Sequence, residues 1–237
     1  MAMRGLVWDG RVGSGLVGRG VAGHVWVWSG KVRLGEAGRG FQTFQEIIVK
    51  LIDVEIRGTT PLLIHRFGEE AETSKSTRKV EIKHEDPREV ARRNAYIAAD
   101  GTFFFSAFAI PGSMGNAGAN HKSRGSRKTL RFIVPSAVQV TSDTVTILNG
   151  SGPAKSFEVD SRPVTIPATK GRVMRHRPRF DSWGAKFSLQ VNDDLLSVET
   201  AQQLLVEAGI GIGIGDFRPE KRGPFGTFRV VSFQERT

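Results

Sequence analysis

Arginine recurs at every second residue in Arg175, Arg177 and Arg179. On an extended chain that spacing sends all three side chains to one face. Guanidinium groups in a row suit charge-assisted, bidentate hydrogen bonds to phosphate or carboxylate oxygens. Such a row is expected to stay out of a core, as a solvated face or as a track for a polyanion. The same stretch, from Ser161 to Lys186, holds Arg162, Lys170 and Arg172 as well, against Asp181 alone. A second basic stretch lies between Gly101 and Ser142, where Lys122, Arg124, Arg127, Lys128 and Arg131 occur without an acidic residue. A third cluster, Arg218, Lys221 and Arg222, sits inside GIGIGDFRPEKRGPFG, Gly211 to Gly226. There the glycines, Gly213 and Gly215 among them, are expected to open main-chain N–H groups to phosphate oxygens while the cations supply charge. In the plainer alternative the glycines let a strand approach a helix closely, and Asp216 to Pro219 is a surface turn.

Other chemistries are thinly represented. The five histidines, at 24, 65, 84, 121 and 176, form no HxH or HxxxH pair, so a histidine zinc site is not expected. No cysteine occurs, which excludes disulfides and thiolate metal sites and fits a reducing compartment. The run of alternating glycines follows a helical pattern and precedes a strand, the reverse of a dinucleotide-binding turn, and no P-loop lysine is present. Neither a GxSxG elbow nor a carboxylate cluster suggests a hydrolase, and Asp193-Asp194 reads as a turn or cap. No cofactor is expected. The formal net charge of +10 favours a polyanionic partner, nucleic acid before an anionic membrane surface. No apolar run is long enough to span a bilayer, and no secretory h-region is visible. The expected location is cytoplasmic.

These residues need elements to position them. Residues 1–44 differ from the rest: they hold eleven of the 28 glycines, three of the four tryptophans and no proline. They read as a Gly/Arg/Trp-rich arm, expected to be disordered or only weakly paired. Translation from an early start codon, or an arm that folds on a partner, would also fit. Ile47 to Ile56 has the β-branched, apolar texture of a central strand. Residues Glu69 to His84 read as a polar loop. Asp86-Pro87-Arg88-Glu89 is a helix start with cap, first-turn proline and acid in order. Asp100-Gly101 predicts a hairpin turn, and Pro111 is expected to open a helix of small residues from Met114 to about His121. Val138–Val140 and Thr144–Leu148 read as short strands. Val164–Ile166 and Val173-Met174 are expected to form a β-hairpin around Lys170-Gly171. Phe187, Leu189 and Val191 alternate as a half-buried strand does, with Phe180 and Trp183 before them placed either to stack on bases or to pack in the core. Ser197 is expected to cap a helix from Val198 to Ala208, and Gly209 to end it. Phe225 to Phe233 is the last strand.

Three of these places, taken in order, resemble the RAMP superfamily of CRISPR-associated proteins. IDVEIRGTTPLLIHR (Ile52 to Arg66) is similar to the opening strand and its TPL turn. FAIPGSMGNAGA (Phe108 to Ala119) is similar to the proline-started helix of effector-backbone subunits. GIGIGDFRPEKRGPFGTFRV (Gly211 to Val230) resembles the glycine-rich loop that runs into the last strand. The resemblance covers Gln45 to Thr237. It implies an α+β fold with a ferredoxin-like (RRM-like) β-sheet core, β-hairpin insertions and a glycine-rich loop before the last strand. It also implies a single-stranded RNA or DNA partner, RNA favoured, and a place in a homo-oligomer or larger ribonucleoprotein, whether CRISPR-type, stand-alone or phage-borne. RNA cleavage without metal, known among RAMP relatives, would need a base or acid such as His121 or His176. Both lie in basic stretches, where like charge is expected to lower their pKa. Non-enzymatic strand binding is the leading expectation. An endoribonuclease and a phage structural or assembly protein are the alternatives.

Overall fold

The computed structural model describes residues 48–66, 85–123, 125, 127–150, 152–165 and 171–236. The arm expected over residues 1–44, the loop expected at Glu69 to His84, and Arg124 lie outside the described residues.

Strand β1 (Val49–Gly58) is central, with antiparallel neighbours on both sides. One is β10 (Gly184–Asn192); the other is β11 (Phe228–Glu235). The strand β4 (Val138–Val140) continues the sheet beyond β10, as does the small hairpin of β6 (Leu148–Asn149) and β7 (Gly152–Pro153). Period-two alternation makes this sheet one-sided. Ile52, Val54 and Ile56 of β1 point into the core with Ala185, Phe187, Leu189 and Val191 of β10. Between them on the opposite face stand Asp53, Glu55, Lys186 and Ser188, where Lys186 pairs with Glu55 at 3.2 Å and Asp53 with Arg236.

Two helices cover the apolar face. Helix α1 (Pro87–Arg93) lies elsewhere, against the ribbon described below, and starts as read, with the Asp86 carboxylate accepting from the Arg88 N–H at 3.0 Å. Helix α2 (Ala109–Ala117) begins five residues before the expected Met114. Its Pro111 falls within the first turn, where a missing N–H costs no helical hydrogen bond. Helix α3 (Val134–Ala137) is a single turn leading into β4. Helix α4 (Val198–Glu207) has the Ser197 hydroxyl at its N-terminus, accepting from the Thr200 N–H at 3.3 Å. Helices α2 and α4 pack together, with Ile110 and Met114 from one and Ala201, Leu204 and Leu205 from the other fully buried.

Gly209 does not end α4. The helix runs on through a wider turn, Ala208–Ile212, and Gly213 ends it with φ +73°. The reason for glycine at 209 is proximity: a Cβ there would lie 2.3 Å from the Phe228 carbonyl oxygen.

A second antiparallel sheet is a long ribbon, β8 (Glu158–Thr165) against β9 (Arg172–Phe180), with β2 (Leu62–Leu63) on the free side of β9. The hairpin expected around residue 170 is therefore longer than the pattern indicates. The short strands β3 (Phe104–Ser106) and β5 (Thr144–Thr146) pair separately, so β4 and β5, neighbours in the chain, serve different sheets. The architecture is α+β with antiparallel sheets and few helices. Among the described residues no helix is long and apolar enough to cross a membrane.

Candidate nucleic-acid interface

The glycine-rich segment is folded in on itself and stapled to the TPL turn. Several of its amides are committed: Gly213 N–H donates to Ala208 O, Ile214 N–H to Gly226 O, Gly226 N–H to Pro61 O and Asp216 N–H to Leu63 O, all at 2.8–2.9 Å. Three hydroxyls, of Thr59, Thr60 and Thr227, join the same two segments, at 2.7 and 2.9 Å to Thr227. The Gly213 carbonyl accepts from the buried Ser113 hydroxyl at 3.0 Å, tying the segment to α2. Gly215, at φ +79°, would place a Cβ 2.4 Å from Leu63 O, and Gly226 one 1.8 Å from Ile214 O. The expectation that Gly213 offers an open amide to phosphate therefore fails. The glycines serve close packing, since backbone polar groups must find partners wherever water is excluded.

Of the three alternating arginines of β9, Arg177 meets this segment, and the environments of the three differ. Arg177 is 4% exposed and sets its Nε 2.6 Å from Asp216 Oδ2, inside the segment. The contact is an ion pair without hydrogen-bond alignment, because neither atom meets the geometry of a directed bond. Directly across the ribbon lies Asp160, also buried, whose Oδ1 accepts from Arg162 Nε at 2.8 Å. The expectation that the row stays out of the core fails at Arg177. Its ion-pair partner is Asp216 on the segment, a carboxylate that the cation-rich local sequence does not show. Arg175 is half-buried, with Nη1 3.4 Å from His65 Nε2. Arg179 is half-buried and pairs with Asp181 at 2.5 Å.

His65 received no weight in the sequence pattern, where a lone histidine after an apolar run has no distinguishing signal. Its Nδ1 is buried without a hydrogen-bond partner among the described residues. Burial holds its pKa below the ordinary 6.5, and the charges of Arg175 and Arg177 push the same way, with Asp216 opposing. Phe180 and Trp183 are core residues, not stacking platforms. Both are buried, and the Trp183 indole N–H donates to Thr60 O at 2.8 Å while its ring lies against Gly58.

The two histidines considered for catalysis have other neighbours than expected. His121 Nε2 lies 2.6 Å from Glu207 Oε2, so its close partner is a carboxylate and not a cation. That hydrogen bond is the main cause holding the Glu207 carboxyl below its usual range. His176 pairs across the ribbon with Ser161, its Nδ1 2.7 Å from the hydroxyl. Among the described residues no cluster of His, Asp or Glu could hold a metal ion.

The exposed cations gather elsewhere, around α2. Lys122, Arg127, Lys128 and Arg131 are exposed, and Arg131 makes no ion pair among the described residues. Arg131 lines a groove of about 650 Å³ with Phe108, Gly112, Asn116, Gln139 and Asp143. A smaller hollow of about 180 Å³ adjoins it across Phe108, lined by Gly112, Ser113, Asn116, Gly213 to Gly215 and Arg218. Arg218 is held in place, donating to Gly215 O and Glu220 Oε2, each at 2.9 Å, and Asn116 donates to Glu220 Oε1 at 3.0 Å. Lys221 and Arg222 are exposed beside it, Arg222 in the left-handed region at φ +62°. Of the residues singled out in the sequence, the fold thus brings Arg131 and Arg218 to one surface. Arg177 is taken into the interior, and Gly213 is buried beneath the surface. Phe108, to which the sequence pattern assigns no role, lines both hollows.

No protein-family model matches the chain, and no curated protein matches it. Among solved structures the chain is similar to one described as Type III-B Cmr-beta bound to cognate target RNA, with 11% identity and a TM-score of 0.48. That alignment covers 79% of this chain, which spans about 60% of the other's length. It is also similar to Cmr6 from Pyrococcus furiosus, with 12% identity and a TM-score of 0.42 over 77% of this chain and 99% of that one.

Proposed function

We propose that this chain binds single-stranded nucleic acid, RNA in preference to DNA, through its phosphate backbone, and does so as one subunit of a RAMP-type ribonucleoprotein assembly without cleaving the strand itself. The observation that carries the proposal is the convergence of Arg131 and Arg218 on the open surface of α2, with exposed Lys122, Arg127, Lys221 and Arg222 in the flanking segments. Cations placed to neutralise several phosphates in succession supply sequence-independent affinity. A net charge of +10 has the sign such binding needs. The chain order β1, α2, β4, β10, α4, β11 reads βαββαβ, and β11, β1, β10 and β4 lie side by side. That order supports a ferredoxin-like core, and the ribbon of β8 and β9 has the place of an insertion in it. The three sequence segments that resemble RAMP proteins also meet in space: the TPL turn and α2 both bond to the glycine-rich segment.

Filter binding over a range of salt concentrations tests the proposal. Single-stranded RNA is expected to bind at low salt, with log K falling linearly against log salt by about 0.7 per phosphate neutralised. Combined Arg131→Ala, Lys221→Ala and Arg222→Ala is expected to flatten the slope by about 2. No binding of any single strand at low salt would refute the reading. Equal binding of RNA and DNA would refute the preference alone, and a mass that stays monomeric on saturating strands would refute assembly along the strand.

A further inference from the structure

Phe108 is 77% exposed. It immediately precedes a helix whose Ile110, Met114 and Ala117 are buried, so the exposure belongs to this position. A single exposed apolar residue needs no explanation by itself; the surroundings of this one are specific. The ring is part of the lining of both the groove that contains Arg131 and Gln139 and the hollow that contains Arg218, and Gly112 and Asn116 are the other residues the two share. One helical turn further on, the chain carries Gly112, whose N–H bonds back to Phe108 O at 3.1 Å. A Cβ on Gly112 would meet no atom within 4 Å, and its φ is not in the left-handed region. Neither conformation nor packing calls for glycine there, and glycine is among the weakest helix formers. Its effect is to leave the space beside the ring free.

We propose that Phe108 is a base-stacking platform, on which one nucleobase of a single strand lies flat over Gly112 while the adjoining backbone passes Arg131 on one side and the Arg218 turn on the other. The inference rests on the reading that the chain binds single strands, and it adds where a base is held and by what. A flat aromatic face is what stacking requires, and every base has one, so the contact is sequence-tolerant. Arg131 is the cation free to meet phosphate, with Asp143 the acid in its groove. Arg218 is fixed by Glu220 and Gly215 O, so charge on that side comes from Lys221 and Arg222. Asn116 and Gln139 bring side-chain amides within the lining, of the kind that pair with base edges in single-stranded RNA. Pro111, Pro135, Val138 and Val140 line the same groove, so a contact between protein chains, which favours an apolar patch at its core, is an outcome the test distinguishes.

The test uses the full chain and single-stranded RNA of mixed sequence carrying one 2-aminopurine, with affinity read by anisotropy at several salt concentrations. Phe108→Ala and Phe108→Leu are expected to weaken binding about tenfold, corresponding to about 1.4 kcal/mol. Phe108→Trp is expected to retain binding, and Gly112→Leu, which fills the space beside the ring, to weaken it as Phe108→Ala does. The salt slope is expected to stay unchanged in all four, because stacking releases no counterions. Bound 2-aminopurine is expected to be quenched by the wild type and to recover its emission with Phe108→Ala. Thermal melts establish that each variant is folded. If the wild type binds no strand, both the functional reading and this inference fall. If the wild type binds and Phe108→Ala binds equally well, the platform alone is refuted. It is equally refuted if Phe108→Ala changes the mass of the RNA-free protein, since the ring would then be a contact between protein chains.

Discussion

Replacing glycine by alanine should have opposite effects at two helical positions of this protein, and the structure gives the size of each. At both, alanine gains roughly 0.5–1 kcal/mol over glycine from backbone entropy. At Gly112 nothing stands within 4 Å of the new methyl group, so the gain is kept. At Gly209 the methyl would lie 2.3 Å from the Phe228 carbonyl oxygen and 2.9 and 3.0 Å from two atoms of its ring. The carbonyl belongs to the backbone of β11, and the ring is almost fully buried, so neither can swing aside. The helix and the strand must separate by about an ångström, an overpacking cost of about 1–3 kcal/mol that exceeds the propensity gain. Gly209→Ala should therefore lose up to about 2 kcal/mol, and the two variants should differ by the overpacking cost itself, about 1–3 kcal/mol. At about 2–4 °C per kcal/mol for a chain of this size, Gly112→Ala should melt a few degrees above the wild type and Gly209→Ala several degrees below. Urea melts with unchanged m-values would show that the shift lies in native stability. If Gly209→Ala is as stable as the wild type, the close helix–strand contact is wrong. If Gly112→Ala is less stable, glycine at 112 has a structural role and the reasoning about open space fails.

Three further perturbations follow from the polar groups beneath the glycine-rich segment. Asp216→Ala should cost about 3 kcal/mol, the lower end of the range for breaking a buried ion pair, because Asp216 is 34% exposed while Arg177 is nearly enclosed. Adding Arg177→Met should recover part of that loss, and a double-mutant cycle by urea melts that returns no coupling would refute the pair. Because the folded-state pKa of His65 lies below its ordinary 6.5, the unfolded chain takes up its proton first as the pH falls. Its neutral form thus supports stability that is full above pH 6.5 and is lost as the pH drops through the folded value. His65→Gln should flatten the melting temperature across that window, and an unchanged profile would refute the assignment. Ser113→Ala should lose about 1 kcal/mol with the buried hydrogen bond to Gly213 O, and a melting temperature equal to the wild type's would show that the segment needs no tie to α2.

Much of the fold was legible because it is dictated locally. Asp86 with Pro87, the Asp100-Gly101 turn, the Ser197 cap and the alternation in β10 each act within a few residues of themselves. The misreadings share a cause. Gly209 looks like a helix end, because glycine commonly is one, until the strand that crosses it is known. Pro111 reads as a helix start, whereas it falls in a first turn that begins at Ala109. Thr144 lies only four residues after Val140 in the chain, yet the strands to which they belong join different sheets.

By itself the sequence determined the strand and helix alternation, the surplus of positive charge, the lack of thiolate chemistry and the exclusion of a dinucleotide turn. All of these depend on composition or on neighbours in the chain. The tertiary structure decided what each charge and each glycine does. Arg177 is an interior residue because a loop distant in sequence brings Asp216 to it, and Arg131 remains a surface cation because no carboxylate among the described residues pairs with it. A side chain's periodicity shows which way it points along its own element. Whether it is solvated, paired or packed depends on what the rest of the fold brings opposite it, and electrostatic and contact energies are set by those distances.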